Sequence, residues 1–347
     1  MPQLRMSTLS PPAHGGNLQQ AMDRYGGEPS EWLDLSSAIN ADAWPIPPIP
    51  DTVWHHLPQA SRSWPTVCRR YYGSTYPYDG RLCAGSQAVI MALPRTLQPC
   101  TVWLLAGSYG EHAYHWQQAG HTVIEWSLPE LYQVLQQPLA HWPDVLLLVN
   151  PDNPSGHRYP MEQLRYWQQG LQARGGWLLL DEAFMDCTPE HSWLQHATDE
   201  AADNVIVLRS LGKFFGLAGA RLGVVFAAPH LQQALDILLG PWPLTGASQW
   251  LVECVLDDRA WQCSQRQRLL VQQQRAQTVF SSWPVLTIHP LFVTLDSAEV
   301  LRWHQAFAQQ RIWTRVFPQQ QRLRLGLPSH ELAWQRLQQT LNEIQGL

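Results

Sequence analysis

The chain has 347 residues, enough for a large and a small domain, each with its own core. Charged residues make up 15% and the formal net charge is -5, so no basic balance points to nucleic acid or an anionic membrane. No apolar run reaches the roughly 18 residues of a membrane-crossing helix. Met1–Ser10 lacks the apolar core of a signal peptide, and six cysteines without CxxC or zinc spacing read as reduced thiols of a cytoplasmic protein.

Pro45-Ile46-Pro47-Pro48-Ile49-Pro50 is too rich in proline for a helix or a central strand. It reads as a stiff connector after an N-terminal arm. From Gly85 onward, apolar runs alternate with helix-length polar segments. Thr101–Ala106, Val145–Asn150, Trp177–Leu180, Val205–Leu208 and Leu222–Ala227 are expected strands. Such alternation favours an α/β class with a mostly parallel sheet between helices. Met161–Ala173 places Leu164, Trp167, Gln168 and Leu171 at helical spacing and is expected to be a crossover helix. Pro241-Trp242-Pro243-Leu244 interrupts the chain again. Beyond it, Gln249–Phe280 reads as one or two long helices. Val285–Leu295 and Gln321–Leu327 read as strands of a smaller α+β domain, and Glu331–Gln345 as the closing helix. The expected division is 1–44 for the arm and part of the small domain, 45–240 for the large domain and 241–347 for the small one. No internal repeat is visible.

Three segments carry the chemistry. Val145–Val149 runs into Asn150-Pro151-Asp152-Asn153-Pro154-Ser155-Gly156, a polar turn at the carboxyl end of a buried strand, where open α/β sheets bind ligands. Trp177–Leu180 ends in Asp181-Glu182-Ala183-Phe184. A carboxylate there needs a positive partner, although an ordinary helix cap also puts one there. The third segment is Ser210-Leu211-Gly212-Lys213-Phe214-Phe215-Gly216-Leu217-Ala218-Gly219-Ala220-Arg221-Leu222-Gly223. Burial lowers a lysine pKa, and the neutral amine forms a Schiff base with a carbonyl. Ser210 and Arg221 suit a phosphate. Carbonyl and phosphate together describe pyridoxal phosphate. The plain alternative is a surface lysine in a glycine-rich loop.

In order and spacing, these segments resemble the fold-type I pyridoxal-phosphate enzymes of the aspartate aminotransferase superfamily. Within it they are similar to the histidinol-phosphate aminotransferase group and, closer still, to the threonine-phosphate decarboxylases of cobalamin biosynthesis. His14-Gly15-Gly16-Asn17, Asp34–Asn40, Ala84-Gly85-Ser86-Gln87-Ala88, Ser108-Tyr109-Gly110-Glu111-His112 and Leu323-Arg324-Leu325-Gly326-Leu327-Pro328 extend the resemblance over most of the chain.

The resemblance implies pyridoxal 5'-phosphate as cofactor and assigns roles. Lys213 carries the cofactor and moves the proton. Asp181 pairs with the ring nitrogen, Asn153 donates to the ring oxygen and Tyr109 stacks on the ring. The amides of Ser86, Gln87 and Ala88, with Ser210 and Arg221, cradle the phosphate. Arg324 clamps the substrate carboxylate, with Arg322 as the register alternative. Arg315, His14 and Gly15 meet a substrate phosphate. It also implies a homodimer, no metal, and no nucleic-acid or membrane partner. The implied reaction is decarboxylation of L-threonine O-3-phosphate to (R)-1-amino-2-propanol O-2-phosphate and CO2. An aminotransferase of the histidinol-phosphate type would use the same contacts. A non-catalytic binding protein of this fold has no need to keep Lys213, Asp181, Asn153 and Arg221 together. Four departures stand out. Phe184 replaces a frequent tyrosine, Gly212 a frequent serine or threonine, and Gln87 a frequent glycine or glutamate. His56-Leu57-Pro58 replaces a Tyr-Pro pair that reaches the neighbouring subunit.

Overall fold

The computed structural model describes residues 10–59, 61–197 and 203–345. Of the Met1–Ser10 reading, only Ser10 lies among them. The main sheet has seven strands: β2 (Arg81–Cys83), β3 (Thr101–Leu105), β4 (Thr122–Trp126), β5 (Val145–Val149), β6 (Trp177–Asp181), β7 (Val205–Ser210) and β8 (Gly223–Phe226). Their spatial order is β2-β8-β7-β6-β5-β3-β4. The strands from β7 through β4 pair in parallel, while β8 runs antiparallel to both its neighbours. Every residue of β5 and β7 is buried, as a sheet covered on both faces requires. Two apolar clusters occupy its two faces. One gathers Leu146, Leu148, Leu178 and Phe226, and the other Leu147, Leu179, Ile206 and Val225. The helix Met161–Gln172 buries Leu164, Trp167, Gln168 and Leu171, the expected stripe.

A second sheet is wholly antiparallel, in the order β12-β13-β10-β9, formed by β9 (Val285–His289), β10 (Phe292–Asp296), β12 (Arg315–Phe317) and β13 (Arg322–Gly326). The expected single strand Val285–Leu295 is therefore a hairpin. Pro290 and Leu291 turn the chain, because proline cannot donate into a central ladder. The arm is tied to this region: β1 (Leu33–Asp34) pairs in parallel with β11 (Ile312–Trp313). Pro45–Pro50 carries neither helix nor strand. Gln249–Phe280 resolves into the helices Gly246–Asp257 and Arg259–Val279, and the closing helix spans Glu331–Gln345. All six cysteines are free thiols. Among the described residues, no helix is long and apolar enough to cross a membrane.

Candidate active site

The parallel strands deliver their last residues to one inner cavity. Val149 ends β5, Asp181 ends β6 and Ser210 ends β7, and all three line it together with Lys213. On one side the cavity is closed by the loop entering the helix Ser86–Ala92. Gly85 has φ +73°, and a Cβ there would lie 2.9 Å from Arg221 Nη2. A Cβ on Gly223 would lie 2.5 Å from Ser86 N. Both glycines are therefore required for the loop to press against the start of β8. Arg221 adopts φ +50° and donates to Ala218 O at 3.3 Å. Gly85, Ser86, Gln87, Ser210 and Arg221 thus converge at one end of the cavity, a ready anion cradle. Ala88 stands outside it: its N–H turns back to Gly85 O at 3.1 Å. Gly212 also lines the cavity, with Ala218 Cα 3.1 Å from where its Cβ would be.

Lys213 lies on the cavity floor. Its Nζ is 5.5 Å from the centre of the Phe184 ring, which packs against His289 and Phe292. Burial in this wall, then the nearby charges of Arg324 and Arg221, pull its pKa down to about 8, against an opposing pull from Asp181. The end of the N-terminal segment 1–44 holds this loop in place. Asn40 N donates to Lys213 O at 3.0 Å, and Asn40 Nδ2 to Phe214 O at 2.8 Å.

Asp181 is 3% exposed. Its Oδ1 accepts from Ala183 N at 3.1 Å, and its Oδ2 lies 2.9 Å from His112 Nε2. The turn-capping role and the polar partner coexist. His112 was not anticipated, yet it follows Tyr109 by three residues at a helix start, which places both on one face. Behind the same strands Arg209 bridges Glu182 Oε2 at 2.9 Å and Asp186 Oδ1 at 2.6 Å, all fully buried. This trio joins the ends of β6 and β7 and was equally unforeseen.

A wider cleft of about 820 Å3 opens from the inner cavity. Lys213, Tyr109 and Asn153 line both. His14, Gly15, Arg315 and Arg324 line the cleft alone. Arg324 is buried, donates to Asn153 Oδ1 and reaches Ser36 O at 2.7 Å. Burial and then Arg315 lower its pKa to about 9, which leaves it charged at neutral pH. Arg322 lies 3.6 Å from Asp296 and does not line the cleft. Arg315 donates to Ala13 O at 2.6 Å and His14 O at 3.4 Å, so it pins the arm. Gly16 N donates to Ser36 Oγ at 2.7 Å, and a Cβ on Gly15 would lie 2.2 Å from Ser36 O. The inner cavity suits a flat ring with an anion at one end and a reactive carbonyl facing the amine. The cleft suits a small dianion.

Residues 81–324 match the family of class I and II aminotransferases. The chain is 42% identical, over 94% of its length and 96% of the relative's, to threonine-phosphate decarboxylase of Pseudomonas aeruginosa. Two solved structures share the fold at low identity. Histidinol-phosphate aminotransferase of Sinorhizobium meliloti, in complex with pyridoxal-5'-phosphate, superposes with a TM-score of 0.79 at 20% identity, covering 99% of this chain and 98% of that one. L-Threonine-O-3-phosphate decarboxylase of Porphyromonas gingivalis superposes with a TM-score of 0.73 at 14% identity, covering 91% of this chain and all of that one. With its fold-type I architecture, the chain belongs to the class I and II aminotransferase family and, within it, to the threonine-phosphate decarboxylases.

Proposed function

We propose that the chain is a pyridoxal-phosphate-dependent carboxy-lyase that converts L-threonine O-3-phosphate to (R)-1-amino-2-propanol O-2-phosphate and CO2, a step of cobalamin biosynthesis. The observation that carries this reading is the position of Lys213, which faces both the inner cavity and the arginine-lined cleft.

The donor set fits the cofactor: Ser86, Gln87, Ser210 and Arg221 would hold its phosphate, Asp181, which His112 orients, would pair with the ring nitrogen, Asn153 would donate to the ring oxygen, and Tyr109 would stack on the ring. Phe184 supplies no donor, so the ring oxygen depends on Asn153. Bound, the cofactor supplies an aldehyde that takes an amine covalently and a ring that draws in the electron pair left when a bond at the amine-bearing carbon breaks. The protein decides which bond. Arg324 grips the substrate carboxylate and Arg315, His14 and Gly15 grip its phosphate, and a two-ended grip sets the orientation of the carbon between them. Lys213, as the ammonium after taking the proton that the substrate ammonium gives up, would donate a proton to that carbon where CO2 leaves.

The same reading carries a homodimer and a cytoplasmic location. Trp54 and Leu57 stand 60% and 61% exposed beside the groove lined by Gln249 and Trp250, in keeping with a partner surface. Sedimentation tests it: a fully active monomer would count against the dimer. The reaction is tested with purified protein and threonine phosphate in the absence of any keto acid. CO2 release and amino-alcohol phosphate in equal amounts are expected. A strict need for a keto acid would mean transamination instead.

A further inference from the structure

Glu111 stands in the first turn of the helix Gly110–Gln118, two residues after Tyr109, and is 7% exposed. The helix dipole favours a carboxylate there, but burial leaves it in need of donors. It has three. His14 Nε2 lies 2.8 Å from Oε1, His115 Nε2 lies 3.0 Å from Oε2, and Gln87 Nε2 donates to Oε2 as well. They come from three places: the arm, the helix itself and the first turn of the helix Ser86–Ala92. Gln87 Oε1 in turn accepts from the Tyr109 hydroxyl at 3.1 Å. The arm also rests directly on this helix start, since a Cβ on Gly110 would lie 3.2 Å from Pro12 Cβ. His115, one turn away, and Gln87 already satisfy one carboxylate oxygen. The other oxygen is left for His14, whose side chain is half exposed.

We propose that Glu111 is a positioning residue for substrate recognition: it fastens His14 of the arm to the ring-stacking Tyr109 through Gln87, so the two walls of the cleft keep one spacing. The proposal rests on the reading of that cleft as the site of a phosphorylated substrate. Glu111 touches neither substrate nor cofactor and acts through His14.

Glu111→Gln tests it. The amide keeps the shape but exchanges one acceptor oxygen for an NH2 group, so it cannot receive all three donors. KM for threonine phosphate should rise about tenfold, with kcat altered less than about threefold. His14→Ala should show the same split, and the double variant should be no worse than about twofold beyond either single one, because both remove one connection. Gly110→Ala, which presses on Pro12 without touching the carboxylate, should raise KM too. A measurement independent of turnover is amide hydrogen exchange over residues 13–18 of the unliganded protein, which should be faster in Glu111→Gln. Additive losses in the double variant, or unchanged exchange of the arm, overturn the proposal. If the wild-type protein fails to turn over threonine phosphate, the substrate reading falls, and the exchange measurement alone then decides whether Glu111 holds the arm.

Discussion

Asn153 Oδ1 accepts a hydrogen bond from Arg324 Nη1, which joins the turn after β5 to β13 of the other sheet. Both side chains are buried. The asparagine oxygen faces Arg324, the residue proposed to clamp the carboxylate, and its amide nitrogen is left for the inner cavity. Asn153→Asp keeps an acceptor for Arg324 and loses the donor, so it should weaken cofactor binding and spare substrate KM. Asn153→Ala should harm both. Titration of the cofactor absorbance alongside steady-state kinetics separates the two, and equal effects of both variants on KM would show that the bond does not orient Arg324.

Lys213 should carry the cofactor. The purified protein should be yellow, and borohydride should bleach the band and fix the label on Lys213 in a peptide map. Lys213 is the only lysine in the sequence, so a protein that stays unlabelled after borohydride, or a label on the amino terminus, removes Lys213 from its role.

The depressed pKa of Lys213 has a defined sign. Its folded value of about 8 lies below the ordinary 10.5, so between those values the unfolded chain binds more protons and this group's contribution to stability rises with pH. Only the neutral amine attacks a carbonyl. The rate at which cofactor-free protein takes up pyridoxal phosphate should climb to about pH 8 and then level. Arg324→Gln removes a nearby positive charge and should move the inflection upward. A rate still climbing past pH 10 would contradict the burial argument.

Arg221→Ala should weaken the cofactor more than the substrate. A charged hydrogen bond to phosphate contributes about 1.5–3 kcal/mol, or roughly ten- to a hundredfold in affinity. Unchanged cofactor affinity, measured by equilibrium dialysis, would place Arg221 outside the cradle.

Gly223→Ala should loosen the same cradle by a different route. The added Cβ would sit 2.5 Å from Ser86 N and 2.7 Å from Gly85 C, so the backbone must shift. Overpacking of this kind destabilises by about 1–3 kcal/mol. The urea midpoint of the cofactor-free protein should fall and cofactor affinity with it. A stable variant with full affinity would show that the loop has room to move.

Arg315 and Arg324 should divide the substrate between them. Arg315→Ala should depress kcat/KM for threonine phosphate far more than for threonine, since a hydrogen bond to a charged group contributes about 1.5–3 kcal/mol and only the phosphorylated substrate has that bond to lose. Arg324→Ala should depress both alike, because both substrates carry the carboxylate. Equal losses for the two substrates on removing Arg315 would show that it does not read the phosphate.

The parts of the fold that were legible are those where burial leaves a continuous signature. Val145–Val149 and Val205–Leu208 are apolar because both sheet faces are covered. Thr122–Trp126 is an edge strand with no fully buried residue, so its mixed pattern was silent. The three-residue β2 is too short for periodicity to speak. Pro290 did announce a turn, but the apolar residues on both sides masked it. In the site, Lys213, Asp181 and Asn153 could be read because each ends or follows a visible strand. His112 and Arg209 could not, because their partners lie on elements distant in sequence, and Glu111 could not, because only one of its three partners, His115, is local while His14 and Gln87 are brought to it by the fold. Ala88 was over-read, since nothing in the local sequence shows that its N–H folds back onto Gly85.

The pairing of Leu33-Asp34 with Ile312-Trp313 also sets a timetable. Every residue lining the inner cavity falls between Gly85 and Leu222, so a chain emerging from the ribosome has made the whole lysine chamber before its last third is translated. The amino-terminal strand must wait for nearly the entire polypeptide before its partner exists, and domains made first fold first. Ser36, next along the arm, accepts from both Gly16 N and Arg324. Arg315 and Arg324, the arginines proposed to grip the substrate, are translated only after residue 300, so a chain ending near residue 240 would carry the lysine and Arg221 without either of them.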